Sequence, residues 1–430
     1  MRIAVVALGK IGLPLAVQFA SKGHEVIGVD VSKRRVELVN EAKEPFPGEA
    51  CLQELLSEAV SSGRLRATTD YAEAIPEAEA VILVVPLVVD EDSTPDFRWM
   101  DAATRSLAEH LSENTIVSYE TTLPVGTTRE RWKPMIEEIS GLKEGKDFHL
   151  VFSPERVLTG RVFADLRRYP KLVGGLNESG TAAGIALYEQ LLDFEERSDL
   201  PRGNGVWDMG SAEAAELAKL AETTYRDVNI ALANQFAIFA DRADIDIYTV
   251  IEACNSQPYS HLHRPGIAVG GHCIPVYPRL YLSSDPDADV VSTARAANAA
   301  MPEYVVSKLA EVLGDLRGLR IAVLGAAYRG GVKETAFSGV FATVDALRHR
   351  GALVLVNDPL YTDEELKDFG WVPYHFGDEV DAAIIQADHE EYAALVPADL
   401  PGVKILFDGR AISDPVAWTG LPRLLVGKGC

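Results

Sequence analysis

The chain has 430 residues, 47% hydrophobic and 24% charged, an ordinary globular balance in a length too great for one core, so two or three domains are expected. Its formal net charge of −23 argues against a nucleic-acid or anionic-membrane surface and leaves any phosphate-bearing ligand to local devices such as helix N-termini and a few arginines. No apolar run is long enough to span a bilayer, the N-terminus lacks the marks of a signal peptide, and the four cysteines (Cys51, Cys254, Cys273 and Cys430) show no metal-ligand spacing, which reads as a cytoplasmic protein with reduced thiols and no metal.

In chain order, RIAVVA (2–7) predicts a strand, LGKIGLP a glycine turn, LPLAVQFASKG a helix, and HEVIGVD a second strand ending in Asp30. AVILVVP (80–86), TIVSYETT (115–122) and HLVFSPE (149–155) predict further strands, and the alternation with helices implies a parallel doubly wound sheet. Strand signals then stop. Residues 210–243 carry apolar residues at helical spacing without a proline, and a helix of that length usually spans domains or pairs with a partner. From about residue 316 the first pattern returns, with LRIAVLGAAYRGG, the helix GVFATVDALRHRG, and the strands ALVLVND, DAAIIQAD and VKILFDGR. The expected fold is α/β, with two Rossmann-like doubly wound domains joined by a long central helix. The expected bounds are 1–200 for a nucleotide-binding domain, 201–315 for a helical region and 316–430 for a second Rossmann-like domain.

The first turn reads Ala7-Leu8-Gly9-Lys10-Ile11-Gly12, a dinucleotide fingerprint whose first glycine is alanine. Gly9 would let the backbone approach a pyrophosphate and Gly12 would allow close helix packing, while Asp30 would accept bonds from ribose hydroxyls and so favour NAD over NADP. Further on, GGHCIPVYPRLY (270–281) sets Cys273 on a stiff, glycine-lined turn. Singly, Cys273 would be a small buried hydrophobe, Lys219 a solvated helix residue and Glu155 a helix N-terminal acid. Together, behind a nucleotide-binding unit, a thiol, a lysine and a carboxylate suit covalent carbonyl chemistry.

The segments LGKIGLPLA, ETTLPVGTT, SPERVLTGR, AKLAETTYRDVNIALANQ, GGHCIPVYP, LGAAYRGGVKET and NDPLY stand in the order found in the UDP-glucose/GDP-mannose dehydrogenase family, which the sequence resembles over nearly its whole length. The resemblance implies a homodimer built on the long helix. It also implies oxidation of the 6-hydroxyl of a nucleotide sugar to a carboxylate with two NAD. Cys273 would be the nucleophile, passing through a thiohemiacetal and a thioester. Lys219 would stabilise the oxyanion, Thr122 would position water, and Glu155 would be the base of thioester hydrolysis. The resemblance places Gly9, Lys10, Ile11, Gly12, Asp30, Arg35, Pro86 and Thr122 at the cofactor. At the substrate it places Glu155, Arg156, Val157, Leu158, Lys219, Asn229, Gly271, His272, Tyr328 and Arg329. Thr159, where the UDP-glucose branch has a glutamate, and His272 favour a UDP-N-acetylhexosamine.

Four positions depart from the family pattern: Thr223 for asparagine, Tyr277 for aspartate, Ala336 for a cofactor-contacting arginine, and Tyr259 for a partner-subunit arginine, with Arg264 close by. The alternatives are a UDP-glucose 6-dehydrogenase, or a divergent member that stops at the aldehyde or only binds a sugar nucleotide.

Overall fold

In the computed structural model, which describes residues 1–90 and 94–428, the first apolar run forms β1 (Arg2–Val6) and the glycine turn feeds the helix Gly12–Ser21. Cys51, Cys254 and Cys273 are free thiols, and Cys430 lies outside the described residues. The chain divides into two compact units, residues 1–221 and 222–430, and the division falls inside the helix Ala212–Ala243.

In the first unit, β2 (Glu25–Val29), β3 (Leu65–Thr68), β4 (Ala80–Leu83), β5 (Ile116–Tyr119), β6 (His149–Phe152), β7 (Lys171–Gly175) and β8 (Val206–Asp208) join β1 in one sheet. The order is β8-β7-β6-β5-β4-β1-β2-β3. Sequence reading expected strands to stop after 155 and the sheet to be parallel throughout. The structure corrects both, because β7 and β8 follow and β7 runs antiparallel to β6, with Val151 opposite Gly175 and Phe152 opposite Gly174. The two glycines lower the strand signal, but a Cβ at Gly174 would lie 1.9 Å from the Ser211 carbonyl oxygen, and one at Gly175 would lie 2.3 Å from the Thr181 nitrogen. The central strands are buried on both faces, which is why they read as unbroken apolar runs: β4 is buried at all four positions. Ile3, Val5 and Ile82 pack beneath one helical layer, and Ala4, Val6 and Val81 beneath the other.

The helix Ala212–Ala243 begins where the Ser211 hydroxyl accepts a bond from the Ala214 nitrogen at 3.1 Å. It leaves Tyr225, Leu232, Phe236 and Phe239 exposed, large apolar side chains at spacings that return to one face.

In the second unit, β9 (Arg320–Leu324), β10 (Leu353–Asn357), β11 (Val372–Pro373), β12 (Ala382–Ile385), β13 (Ile405–Asp408) and β14 (Arg423–Leu425) form a wholly parallel sheet of order β11-β10-β9-β12-β13-β14. Ile321, Val323, Ile384 and Phe407 meet Val305, Leu309, Val344 and Leu347 on one face, and Tyr374, Tyr392 and Trp418 fill the other. Among the described residues no helix is long and apolar enough to cross a membrane, and no group of three or more His, Cys, Asp or Glu could hold a metal ion.

Candidate active site

In each sheet the chain reverses winding beside the first strand, between β1 and β4 and between β9 and β12, and ligands of such sheets bind outside the carboxyl ends of the strands at that reversal. In the first unit this place is the turn 7–12. Ala7 stands where the fingerprint has glycine, yet it adopts a left-handed φ of 74° and donates its N–H to the Val29 carbonyl at 2.8 Å. Gly12 is obligatory, because a Cβ there would lie 1.9 Å from the Ala7 carbonyl oxygen, whereas a Cβ at Gly9 would meet no atom within 4 Å. That open ground at Gly9, before the N-terminus of a ten-residue helix, fits a pyrophosphate. Lys10 and Pro86 are exposed at the same edge and Ile11 is half-buried. Asp30 closes β2 nearly buried. Its Oδ2 accepts from the Leu8 nitrogen and from Arg35, both at 2.8 Å, and its Oδ1 accepts from the Ser32 nitrogen at 2.9 Å. Asp30 and Arg35, both expected at the cofactor, are therefore brought together as an ion pair.

Further along the same carboxyl edge stand Glu120 and Thr122, after β5, and Glu155, after β6. The Glu155 nitrogen donates to the Glu120 carbonyl at 3.3 Å, and the two carboxylates share the ammonium of Lys171. Sequence reading missed Glu120 and Lys171. The signal was a lone lysine opening a strand whose five residues are all buried. Thr122 is buried. The segment after Glu155 is held open by carboxylates from elsewhere: Leu158 donates its N–H to Asp165 at 3.1 Å, and the Gly160 and Val162 nitrogens donate to Glu49 at 2.6 and 2.7 Å. Arg156 reaches the Pro170 carbonyl at 3.4 Å, Val157 packs against the core, and Leu158 is exposed. Lys219 is buried on the long helix. One turn before it, Glu216 accepts bonds from the Gly126 nitrogen (2.6 Å), the Thr128 nitrogen (3.0 Å) and the Thr128 hydroxyl (2.6 Å). Burial outweighs these bonds and pushes Glu216 up to about 7.

In the second unit, Cys273 is exposed, and its thiol lies 3.7 Å from the Tyr277 hydroxyl. Tyr277 starts the helix Tyr277–Ser284 and donates its own N–H to the Cys273 carbonyl at 2.9 Å. The approach to this thiol is fastened at every few residues. Asn229 donates to the His261 carbonyl at 2.6 Å and accepts from the His263 nitrogen at 2.9 Å, and Asn234 accepts from the Gly266 nitrogen at 3.0 Å. The Ile267 and Gly271 nitrogens donate to Gly409 and Ala336 at 3.1 and 3.0 Å. Gly271 has a φ of 95° and lies against the Tyr328 ring, where a Cβ would approach within 2.9 Å. The exposed His272 ring meets Glu334 at 3.2 Å, and the Tyr328 nitrogen donates to the Glu334 carbonyl. Asn229, Gly271, His272, Cys273 and Tyr328 thus belong to one fastened structure, with Asn229 spending its amide on the loop. Tyr259 projects from that loop almost fully exposed.

The turn after β9 places Arg329 in solvent beside Tyr328, its Nε 3.1 Å from the tyrosine hydroxyl. A second arginine, Arg410 after β13, was not singled out in the sequence. It pairs with Asp388 at 3.0 Å, and the same carboxylate oxygen accepts from the Gly330 nitrogen at 2.9 Å, so two guanidinium groups flank the reversal point. Beneath them Asp358 accepts from the Ala326 and Ala327 nitrogens and from His389. Burial alone would raise Asp358, but these donors win and hold its carboxyl below the ordinary value.

A dinucleotide turn in one unit, and in the other an arginine-flanked strand edge with an accessible thiol, define a dehydrogenase that handles a nucleotide-bearing substrate. Comparison with known proteins makes the class specific. The NAD binding, central and UDP binding domains of the UDP-glucose/GDP-mannose dehydrogenase family match residues 1–192, 213–300 and 322–415. The chain belongs to that family and is an NAD-dependent nucleotide-sugar dehydrogenase. It is 34% identical to the UDP-N-acetyl-D-mannosamine dehydrogenase of Pyrococcus horikoshii, over 96% of both chains. It is 33% identical to an NDP-N-acetyl-D-galactosaminuronic acid dehydrogenase of Ralstonia solanacearum, over 83% of this chain and 82% of that one. The solved structure of the Pyrococcus horikoshii UDP-D-ManNAc dehydrogenase superposes with a TM-score of 0.87 at 31% identity, covering 100% of this chain and 99% of that one.

Proposed function

We propose that this chain, as a cytoplasmic homodimer, oxidises the 6-hydroxyl of UDP-N-acetyl-D-mannosamine to the uronate in two successive steps. The observation that carries the reading is the exposed Cys273 thiol, fastened by the loop 261–273 to the arginine-flanked edge of the second unit. The names of the relatives support an N-acetylated sugar. Arg329 and Arg410 suit the diphosphate, each offering a planar fork of donors.

Gly9, Gly12 and Asp30 would hold NAD, with Lys10, Ile11, Arg35, Pro86 and Thr122 around it. NAD, when bound, supplies the hydride acceptor for both oxidations. The Cys273 sulfur adds to the 6-aldehyde as a thiohemiacetal, and the second oxidation leaves a thioester on that sulfur. Lys219 stabilises the oxyanion, Thr122 positions the water, and Glu155 is the base that activates it. Arg156, Val157, Leu158, Tyr328 and His272 line the sugar nucleotide, while Asn229 and Gly271 act through the loop they fix.

The test is a screen of UDP-N-acetyl-D-mannosamine, UDP-N-acetyl-D-glucosamine, UDP-glucose and GDP-mannose, counting NADH formed per sugar and weighing the product. Two NADH per sugar and a uronate from UDP-N-acetyl-D-mannosamine are expected. Faster turnover of UDP-glucose refutes the substrate, and one NADH with an aldehyde product refutes the second oxidation.

A further inference from the structure

At the carboxyl ends of β5 and β6 two carboxylates surround one ammonium inside the protein. Because β7 is antiparallel to β6, its first residue, Lys171, arrives at the carboxyl edge of its neighbour. Lys171 is 5% exposed, ion-pairs with Glu120 at 2.7 Å and with Glu155, and lies 4.7 Å from the centre of the Tyr188 ring. Tyr188, on the helix Glu178–Leu191, donates to Glu120 Oε1 at 2.5 Å, and Ser118 of β5 lies 2.7 Å from the Tyr188 hydroxyl. The groups facing Glu120 are thus Lys171, Glu155, Tyr188 and Ser118. Glu155 is the outer member, its side chain 8% exposed where that of Glu120 is fully buried. One ammonium balances one buried carboxylate, and the second calls for a proton.

We propose that the base of the hydrolytic step is not Glu155 alone but a pair, in which Glu120 and Glu155 take up one proton between them around Lys171, with Glu155 at the water and Glu120 and Lys171 as positioning residues. The inference rests on the reading above for the reaction it serves. The water oxygen bonds to the thioester carbonyl carbon, and one of its protons passes to Glu155 and is shared with Glu120. As the C–S bond breaks, the electron pair leaves on the Cys273 sulfur, which takes the second proton. The uronate departs ionised, and the pair returns its proton to solvent.

The electrostatics agree. Burial is the main force pushing Glu120 up to about 8; Lys171 opposes it and Glu155 adds to it. Burial works against the charge of Lys171, but Glu120 and Glu155 more than offset it and hold the ammonium above its ordinary value. A carboxylate of ordinary basicity abstracts a proton from water poorly at neutral pH, whereas a site that binds its proton near the working pH is suited to the task.

Two measurements test the pair. Infrared difference spectra of the substrate-free protein report protonated carboxyls directly. Beyond the band that Glu216 loses near pH 7, the wild type should lose a second near pH 8, Glu120→Gln should lack this second band, and Glu155→Gln should shift it to lower pH because the like-charged neighbour is gone. Glu216 gives a separate band that neither change removes. The second measurement is single-turnover hydrolysis with UDP-N-acetyl-D-mannosamine and NAD, followed by intact-protein mass. Glu120→Gln, whose amide oxygen still accepts from Tyr188, should slow release of the acyl group about tenfold and move the rising limb of its pH profile acidwards by about one unit. Lys171→Met should also slow release but move the limb to higher pH, because the ammonium that opposes the rise is gone, and Lys171→Arg should restore the limb. A stable Glu120→Gln protein with an unmoved limb and an unchanged band overturns the proposal, as does a band that ignores Glu155→Gln. If no sugar nucleotide is oxidised, the functional reading fails while the spectra still decide the pair.

Discussion

The two glycines of the first turn are asked to do different things, and alanine at each separates fold from ligand. At Gly12 a Cβ would stand 1.9 Å from the Ala7 carbonyl oxygen, 3.1 Å from its carbon and 3.6 Å from the Val84 Cβ. A carbon–oxygen contact needs about 3.3 Å, so the helix Gly12–Ser21 or the turn must move by roughly 1.4 Å. The obstacle is backbone, and Ala7 already holds a left-handed conformation that costs an L-residue about 1–2 kcal/mol, so it has little freedom to yield. Overpacking of this kind costs about 1–3 kcal/mol, which at 2–4 °C per kcal/mol lowers Tm by roughly 2–12 °C. The displaced helix N-terminus should also weaken NAD about 10- to 100-fold. At Gly9 a methyl meets nothing within 4 Å and the backbone needs no glycine, so Gly9→Ala should leave Tm within about 2 °C. It should still weaken NAD at least about tenfold by occupying the pyrophosphate's ground. Differential scanning fluorimetry and calorimetric NAD titration of both variants decide it. A Gly12→Ala protein with wild-type Tm and affinity, or a Gly9→Ala protein that binds NAD normally, refutes the reasoning.

Stability should fall as pH rises. Glu216 is raised from 4.5 to about 7 and Glu120 to about 8, so the fold favours their protonated forms, and their contribution, full below about pH 4.5, is lost as pH climbs through 7 and 8. For Glu216 the loss is about 3 kcal/mol, and urea midpoints that are flat from pH 5 to 9 would contradict it. Cys273→Ser should abolish uronate formation, while Tyr277→Phe, which loses a 3.7 Å contact to the thiol, should lower turnover less than about tenfold; quenched product mass tells them apart. NAD should be used in preference to NADP, because the nearly buried Asp30 carboxylate repels a 2′-phosphate, and equal kcat/KM for the two cofactors would show that Arg35 has cancelled that repulsion. Light scattering should give a dimer at micromolar concentration, since Tyr225, Leu232, Phe236 and Phe239 are too apolar to face water, and Phe239→Glu with Phe236→Glu should yield monomer.

What was legible in the sequence was local. Strand, glycine turn, helix, strand and acid fall within thirty residues of one another in the first half and within forty in the second, and their spacing alone gives the βαβ units, Gly12 and Asp30. The long helix announced itself through an unbroken apolar period without proline. What stayed hidden depends on residues far apart in the chain. Lys171 is 51 residues from Glu120, and nothing near either one says that they pair. β7 was lost because its two glycines, which admit the Ser211 and Thr181 backbones, depress the strand signal. Asn229 was expected at the substrate by resemblance, and its part in the loop was hidden because its partners, 32 and 34 residues away, are backbone atoms that sequence does not advertise. Arg410 stood in plain view after an apolar strand, but only the winding reversal of the sheet brings it to the same edge as Arg329.

The fastening of the loop 261–273 makes the second unit a gauge. Ile267 is tied to Gly409, one residue before Arg410, and Gly271 to Ala336, so the backbone that carries the sulfur is pinned by hydrogen bonds to the backbone beside the arginines, inside one compact body. If the two arginines grip the diphosphate, as proposed, the sugar hung from it presents the carbon that fits that length. A sugar 1-phosphate, which lacks the nucleoside monophosphate, would lose one of the two phosphates by which that span is held. On this view, selectivity for the sixth carbon is a matter of measured length, set where the loop is pinned, before any contact with the sugar itself.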